Sequence, residues 1–158
     1  MRATTILPAI TWNPADAIDT VLLDHDHRHR RRIALRTEGG ADLLLDLPHA
    51  ARLRDGDGLA LDTGDIVLVR AKPEALLDIH AHDRGTLTRI AWHLGNRHLP
   101  VQIVGDHLRI RADHVIADMI AGLGGHAEPI DAPFDPEAGA YAGGPHHHHH
   151  DDDDDHDH

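Results

Sequence analysis

The hydrophobic pattern changes period at Lys72-Pro73, and that change limits what each half of the chain can become. Before it, apolar residues fall in short alternating runs, and residues 18–23, 32–37, 42–47 and 66–70 are the best strand candidates. Glu38-Gly39-Gly40, Asp55-Gly56-Asp57-Gly58 and Thr63-Gly64-Asp65 supply turns of the kind that join hairpins. Residues 1–71 therefore read as a small all-β domain. Lys72-Pro73 breaks the pattern and marks a domain boundary.

Beyond the break the periods alternate. Leu77, Ile79 and Ala81 interleave with Asp78, His80 and His82, as in a half-buried strand. Asp83 is placed to cap a helix whose face is Leu87, Ile90, Ala91 and Leu94, and which Gly95 can end. Val101 and Ile103, then Leu108 and Ile110, predict two strands around a turn at Gly105-Asp106. A second helix starts at Asp113, buries Ile116, Met119, Ile120 and Leu123, and stops at Gly124-Gly125. A short strand near residues 127–130 completes β-α-β-β-α-β, the ferredoxin-like order, over residues 74–142. The expected class is α+β. From Gly143 the chain is low in complexity, and residues 143–158 are expected to be a disordered His/Asp-rich tail.

Composition excludes several kinds of chemistry. With only two Trp, one Tyr and one Phe, the core must be built from Leu, Ile, Val and Ala. The absence of Cys removes disulfides and thiolate metal sites, and the absence of Ser removes any Ser-His-Asp triad. A net charge of −12 argues against nucleic acid as a general partner. No apolar run approaches the roughly 20 residues needed to cross a bilayer, and the first ten residues lack a secretory pattern. The expectation is a cytoplasmic protein without membrane or nucleic-acid partners.

Histidine is the anomaly, with 18 residues. His146, His147, His148, His149, His150, His156 and His158 lie in the tail beside Asp151–Asp155 and Asp157. Neutral imidazoles beside carboxylates suit borderline divalent metals such as nickel, copper and zinc. An expression tag explains five His but not the aspartates behind them, and a solubilising tail explains only the aspartates.

Elsewhere the histidines read more plainly. His25, His27 and His29 alternate, but a solvent-facing strand end before Arg30-Arg31-Arg32 is the simpler reading. His80-Ala81-His82-Asp83 begins like a metallo-hydrolase His-x-His-x-Asp-His motif, then fails at Arg84-Gly85. These two histidines read as exposed strand positions. His107 reads as a surface turn residue. Spacing alone does not single out His98, since one imidazole cannot hold a metal; beside a two-fold axis, however, a homodimer gains two ligands from one position.

Leu94-Gly95-Asn96-Arg97-His98-Leu99-Pro100 resembles the signature of the UreE urease accessory proteins. The likeness continues through Asp113-His114-Val115 and Asp118-Met119, then Pro133-Phe134-Asp135-Pro136-Glu137-Ala138-Gly139-Ala140-Tyr141 ahead of a His-rich tail. It spans residues 92–158 closely. It implies a homodimer of two-domain subunits, with a β N-terminal domain and a ferredoxin-like C-terminal domain. His98 is then the interface nickel ligand shared by two chains. Some members carry a further His-x-His; here Ala112-Asp113-His114 leaves that pair incomplete, so His114 is the weaker candidate and reads better as a helix-start residue.

The implied role is nickel transfer rather than catalysis, with Ni2+ as cargo and Zn2+ or Cu2+ as competitors. The implied partners are the urease accessory GTPase and apo-urease. About 22 residues follow Pro136, a length that spans roughly 25 Å as a random coil, enough for the tail to reach His98. The rival reading is passive storage or buffering of nickel, zinc or copper by the same tail. A metal hydrolase needs three fixed ligands and a general base, which the sequence does not supply. A peptide-binding chaperone built on the β domain finds little support in an acidic chain poor in aromatics.

Overall fold

A computed structural model of the chain describes residues 1–138; the tail read from the sequence as disordered lies outside them. The first half is one mixed sheet. Its strands are β1 (Arg2–Leu7), β2 (Ala17–Leu23), β3 (His29–Arg36), β4 (Asp42–Arg52), β5 (Gly58–Leu61) and β6 (Ile66–Ala71). They lie in the order β2-β6-β5-β1-β4-β3. Period-two patterning builds its core: Leu43, Leu45 and Leu47 on β4 are buried with Val67 and Val69 on β6 and Val21 and Leu23 on β2. The β5–β6 turn needs a positive φ, which Gly64 supplies at 90°.

Two of these strands escape the sequence reading. β1 carries Thr4-Thr5 at its centre, and β5 is only four residues long and leaves directly from a turn. β1 is fixed wholly by partners distant in sequence, and β5 by β1 on one side and by its neighbour β6 on the other. β1 runs parallel to β4 and antiparallel to β5, so it joins the two hairpins into one sheet.

The second half follows after a single residue, Lys72. It comprises β7 (Pro73–His80), α1 (Arg84–Asn96), β8 (Gln102–Val104), β9 (His107–Arg111), α2 (His114–Gly122) and β10 (His126–Pro133). The four strands are antiparallel in the order β10-β7-β9-β8, the ferredoxin-like arrangement. Leu77 and Ile79 of β7 and Leu108 and Ile110 of β9 meet Ile90 and Leu94 of α1 and Ile116 and Ile120 of α2 in one core. Asp83 and Asp113 cap the helices, accepting from Thr86 N, and from Val115 N and Ile116 N. β10 is longer than the sequence implies, and it accommodates Pro129 and Pro133 because it is an edge strand. Among the described residues, no helix is long and apolar enough to cross a membrane.

The two sheets meet at a junction built on cations. Arg28 is 1% exposed, donating through Nε to Asp24 O at 3.3 Å and through Nη2 to the Phe134 carbonyl. Arg52 reaches Pro136 O at 2.7 Å from the other side. The strap from Phe134 to Glu137 is also tied to β8 and the residue before it, through Asp135 N to Gln102 Oε1 and Glu137 N to Val101 O. Phe134 is fully buried here, edge-on to the His25 ring at 5.5 Å and beneath the Arg111 guanidinium.

Candidate functional site

α1 does not end at Gly95. It continues to Asn96, with Arg97 as its cap, and His98 follows at φ 57°. His98 N donates to Gly95 O at 3.0 Å and Leu99 N to Leu94 O at 3.2 Å. This double closure is a Schellman motif, in which the residue that turns the chain sits in the left-handed region and is usually glycine. Among the described non-glycine residues His98 alone has a positive φ, and it is exposed. The next residue, Leu99, packs back on the C-terminal core, so the turn is fixed from behind.

His114 is the first residue of α2 and also exposed, directly after the Asp113 cap, as the sequence implied. The neighbours of these two histidines line one cleft: Leu99 and Pro100 on one side, Ala112 and Asp113 on the other, with Ile116 at its base. His146–His150, His156 and His158 fall outside the described residues.

The other histidines depart from their sequence readings. His25, His27 and His29 do not share a strand face, because Asp26–Arg28 forms a single 3-10 turn and only His29 enters β3. His25 is half-buried at the junction, bonded to Arg111 Nη2 through Nδ1 at 2.6 Å. Burial, with the charges of Arg111, Arg52 and Arg28 nearby, pushes its imidazole below the ordinary value. His27 is exposed and lies 2.5 Å from Asp24 Oδ1.

His107 is not a free turn residue. It opens β9, and its side chain is only 17% exposed. Helices cover one face of the C-terminal sheet, and the opposite face shows two rows across three strands. His126 on β10 pairs with His80 on β7, and His107 follows one step beyond the paired Ile79 and Leu108. The His80 and His107 rings stack at 4.5 Å. In the next row Glu128 pairs with Asp78, which pairs with Arg109.

Asp78, His80 and His107 each offer one donor atom within 4.8 Å of the others, the one such three-residue group among the described residues. Arg109 grips Asp78 with Nε to Oδ1 at 2.7 Å and Nη2 to Oδ2 at 3.3 Å. That bond holds the Asp78 carboxyl below its usual range. His80, Ala81 and His82 also line an open cleft with Gly124, Gly125 and His126. The signal in the sequence was the period-two spacing of Asp78/His80, His107/Arg109 and His126/Glu128. The register that brings the three pairs together was not readable.

Comparison with known proteins matches both halves of the chain. Residues 74–158 match the profile described as the UreE urease accessory protein C-terminal domain, and residues 3–72 match that of the N-terminal domain. The chain is similar to a urease accessory protein UreE from Rhodopseudomonas palustris (strain HaA2), 56% identical over 90% of the chain and 66% of that protein. It is 55% identical to a second from Bradyrhizobium sp. (strain ORS 278), over 90% of the chain and 67% of the relative. A third, from Beijerinckia indica, is 50% identical over 90% of the chain and 82% of its own length. The chain thus spans about two thirds of the first two relatives' length.

Proposed function

Because the chain belongs to the UreE urease accessory protein family, we propose that it is a nickel metallochaperone rather than an enzyme. It supplies Ni2+ for assembly of the urease metallocentre, working as a cytoplasmic homodimer with the urease accessory GTPase and apo-urease. The observation that carries this reading is the state of His98. An exposed imidazole occupies a left-handed helix end that glycine fills more easily, and strain of that kind is kept where a side chain has work to do.

A single imidazole is a weak site, and cargo must leave as readily as it arrives. Two copies of His98 facing each other supply two exchangeable donors. Exposed apolar side chains in this half, Trp92, Ile103 and Val115, support a surface that a second copy can cover. The tail histidines collect metal and His98 presents it. His114, next to the Asp113 that lines one cleft with Leu99 and Pro100, is the weaker candidate for an auxiliary ligand. Zn2+ and Cu2+ compete at any such site, copper the more strongly.

The test is urease maturation in cells whose own copy is replaced by variants. His98→Ala removes one imidazole per chain, so total nickel bound should fall little while urease activity falls disproportionately. Deletion of residues 145–158 removes seven, so nickel bound should fall sharply while delivery is partly kept when nickel is abundant. The opposite ranking favours storage by the tail over delivery through His98.

A further inference from the structure

We propose that Asp78, His80 and His107 form a second metal site, complete within one chain, on the open face of the C-terminal sheet. It takes one borderline divalent cation, of the nickel and zinc type, through two imidazoles and a carboxylate. Nothing in it depends on His98, the tail or a second copy of the chain.

Four features argue for the site. The first is spacing: bonds of about 2.0–2.1 Å in a tetrahedron place donor atoms roughly 3.4 Å apart. His107 Nε2 and Asp78 Oδ2 stand 3.5 Å apart, already at that edge. His80 offers a donor within 4.8 Å of those of the other two residues, and turning its ring out of the stack on His107 closes the third side.

The second is the state of His107 Nε2. This nitrogen is buried and has no hydrogen-bond partner, since its approach to Asp78 lacks bonding geometry. A buried polar atom without a partner is costly, and a cation at the cluster centre satisfies it.

The third is the other side of that ring. His107 Nδ1 faces Asp106 Oδ1 at 3.2 Å. A proton held there leaves Nε2 with its lone pair free, the carboxylate–histidine–metal arrangement that orients ligating imidazoles. Arg109 orients Asp78 in the same way, holding Oδ1 at 2.7 Å and Oδ2 more loosely at 3.3 Å, with Oδ2 on the side of His107.

The fourth is supply of further donors. His126 lies opposite His80 on the same face, and Glu128 lies opposite Asp78. Residues directly opposite on an antiparallel pair have Cβ atoms about 5 Å apart, within reach of a fourth ligand. The site sits just before α1 and His98 just after it. Thirteen helical residues separate the two by about 20 Å, too far for shared ligands.

The test uses the full chain labelled with 15N-histidine and titrated with Zn2+, with imidazole ring nitrogens followed by NMR. The ring signals of His80 and His107 should move together, and they should still do so in His98→Ala. Asp78→Asn keeps the side chain's shape but not its charge and should weaken this response at least about tenfold, as should His107→Ala. Backbone amide spectra of each variant report folding, and His80→Ala serves in place of any variant that does not fold. A Ni2+-soaked crystal of the full chain should show anomalous density between the three residues. Zinc that saturates the tail and His98 while His80 and His107 stay unmoved overturns the proposal, as does an Asp78→Asn response equal to the parent's.

Discussion

Replacing His98 with glycine should make the protein more stable and less useful. The left-handed region costs an ordinary L-residue roughly 1–2 kcal/mol. His98 sits in it at φ 57°, held by two backbone hydrogen bonds that do not involve its side chain. Those bonds survive His98→Gly, so only the conformational terms change. Glycine removes the φ penalty but gains about 0.4–1 kcal/mol of unfolded-state freedom, leaving a net stabilisation of about 0.5–1 kcal/mol. For a chain of this size that is a rise of about 1–4 °C in melting temperature. His98→Ala keeps the strain and should show no such gain, and His98→Asn should lie between. Thermal unfolding followed by circular dichroism in chelator separates the three, while urease maturation should drop in all of them. If glycine and alanine variants melt together, or glycine melts lower, the turn stores no strain and the argument for His98 loses its physical support.

The junction should make the fold sensitive to acid. His25 titrates below its ordinary value in the folded chain, so between that lowered value and about 6.5 the unfolded chain holds a proton that the native one refuses. The stability is present above about pH 6.5 and is lost as pH falls through it; urea midpoints from pH 7.5 to 5.5 should fall less steeply for His25→Gln. Phe134→Ala empties a fully buried site between the two cores and should cost about 3–5 kcal/mol by urea unfolding; a loss below 1 kcal/mol means the strap does not pack as described. Nickel binding to the tail should weaken steeply below about pH 6, because metal-bound imidazole must be neutral and a free imidazole, of pKa about 6.5, takes up protons there. Isothermal titration showing undiminished nickel stoichiometry at pH 5 assigns the metal to the aspartates instead.

What was legible in the sequence was whatever one element encodes by itself. The α1 face of Leu87, Ile90, Ala91 and Leu94 gave its helix, and Asp83 and Asp113 gave the caps. Leu77 and Ile79 gave the core side of β7. β1 and β5 escape a pattern reading because β1 has Thr4-Thr5 at its centre and β5 is only four residues long, and because their pairing with each other joins segments far apart in the chain. The end of α1 was misplaced for a related reason. Glycine is the usual terminator, and Gly95 stood ready, but the hydrogen bonds of Leu99 carry the helix one residue further and put a histidine where glycine is expected.

The sites divide along the same line. His98 is visible because it belongs to one contiguous segment, Leu94 to Pro100, whose likeness to a family can be recognised without any structure. Asp78, His80, His107 and His126 come from three segments, each of which shows only a period-two pair. In that segment's sequence alone, His80 and His82 read most simply as exposed strand positions, although β7 ends at His80 and His82 lies beyond it. What changes the meaning of His80 is register: a slip of one residue between β7 and β9 would put His107 on the helix-covered face and leave Asp78 opposite an apolar partner. Register here is fixed by Leu77 and Ile79 against Ile110 and Leu108, residues with no chemistry of their own. The packing of the apolar face thus determines which donors meet on the polar one, and that cannot be read until the strands are paired.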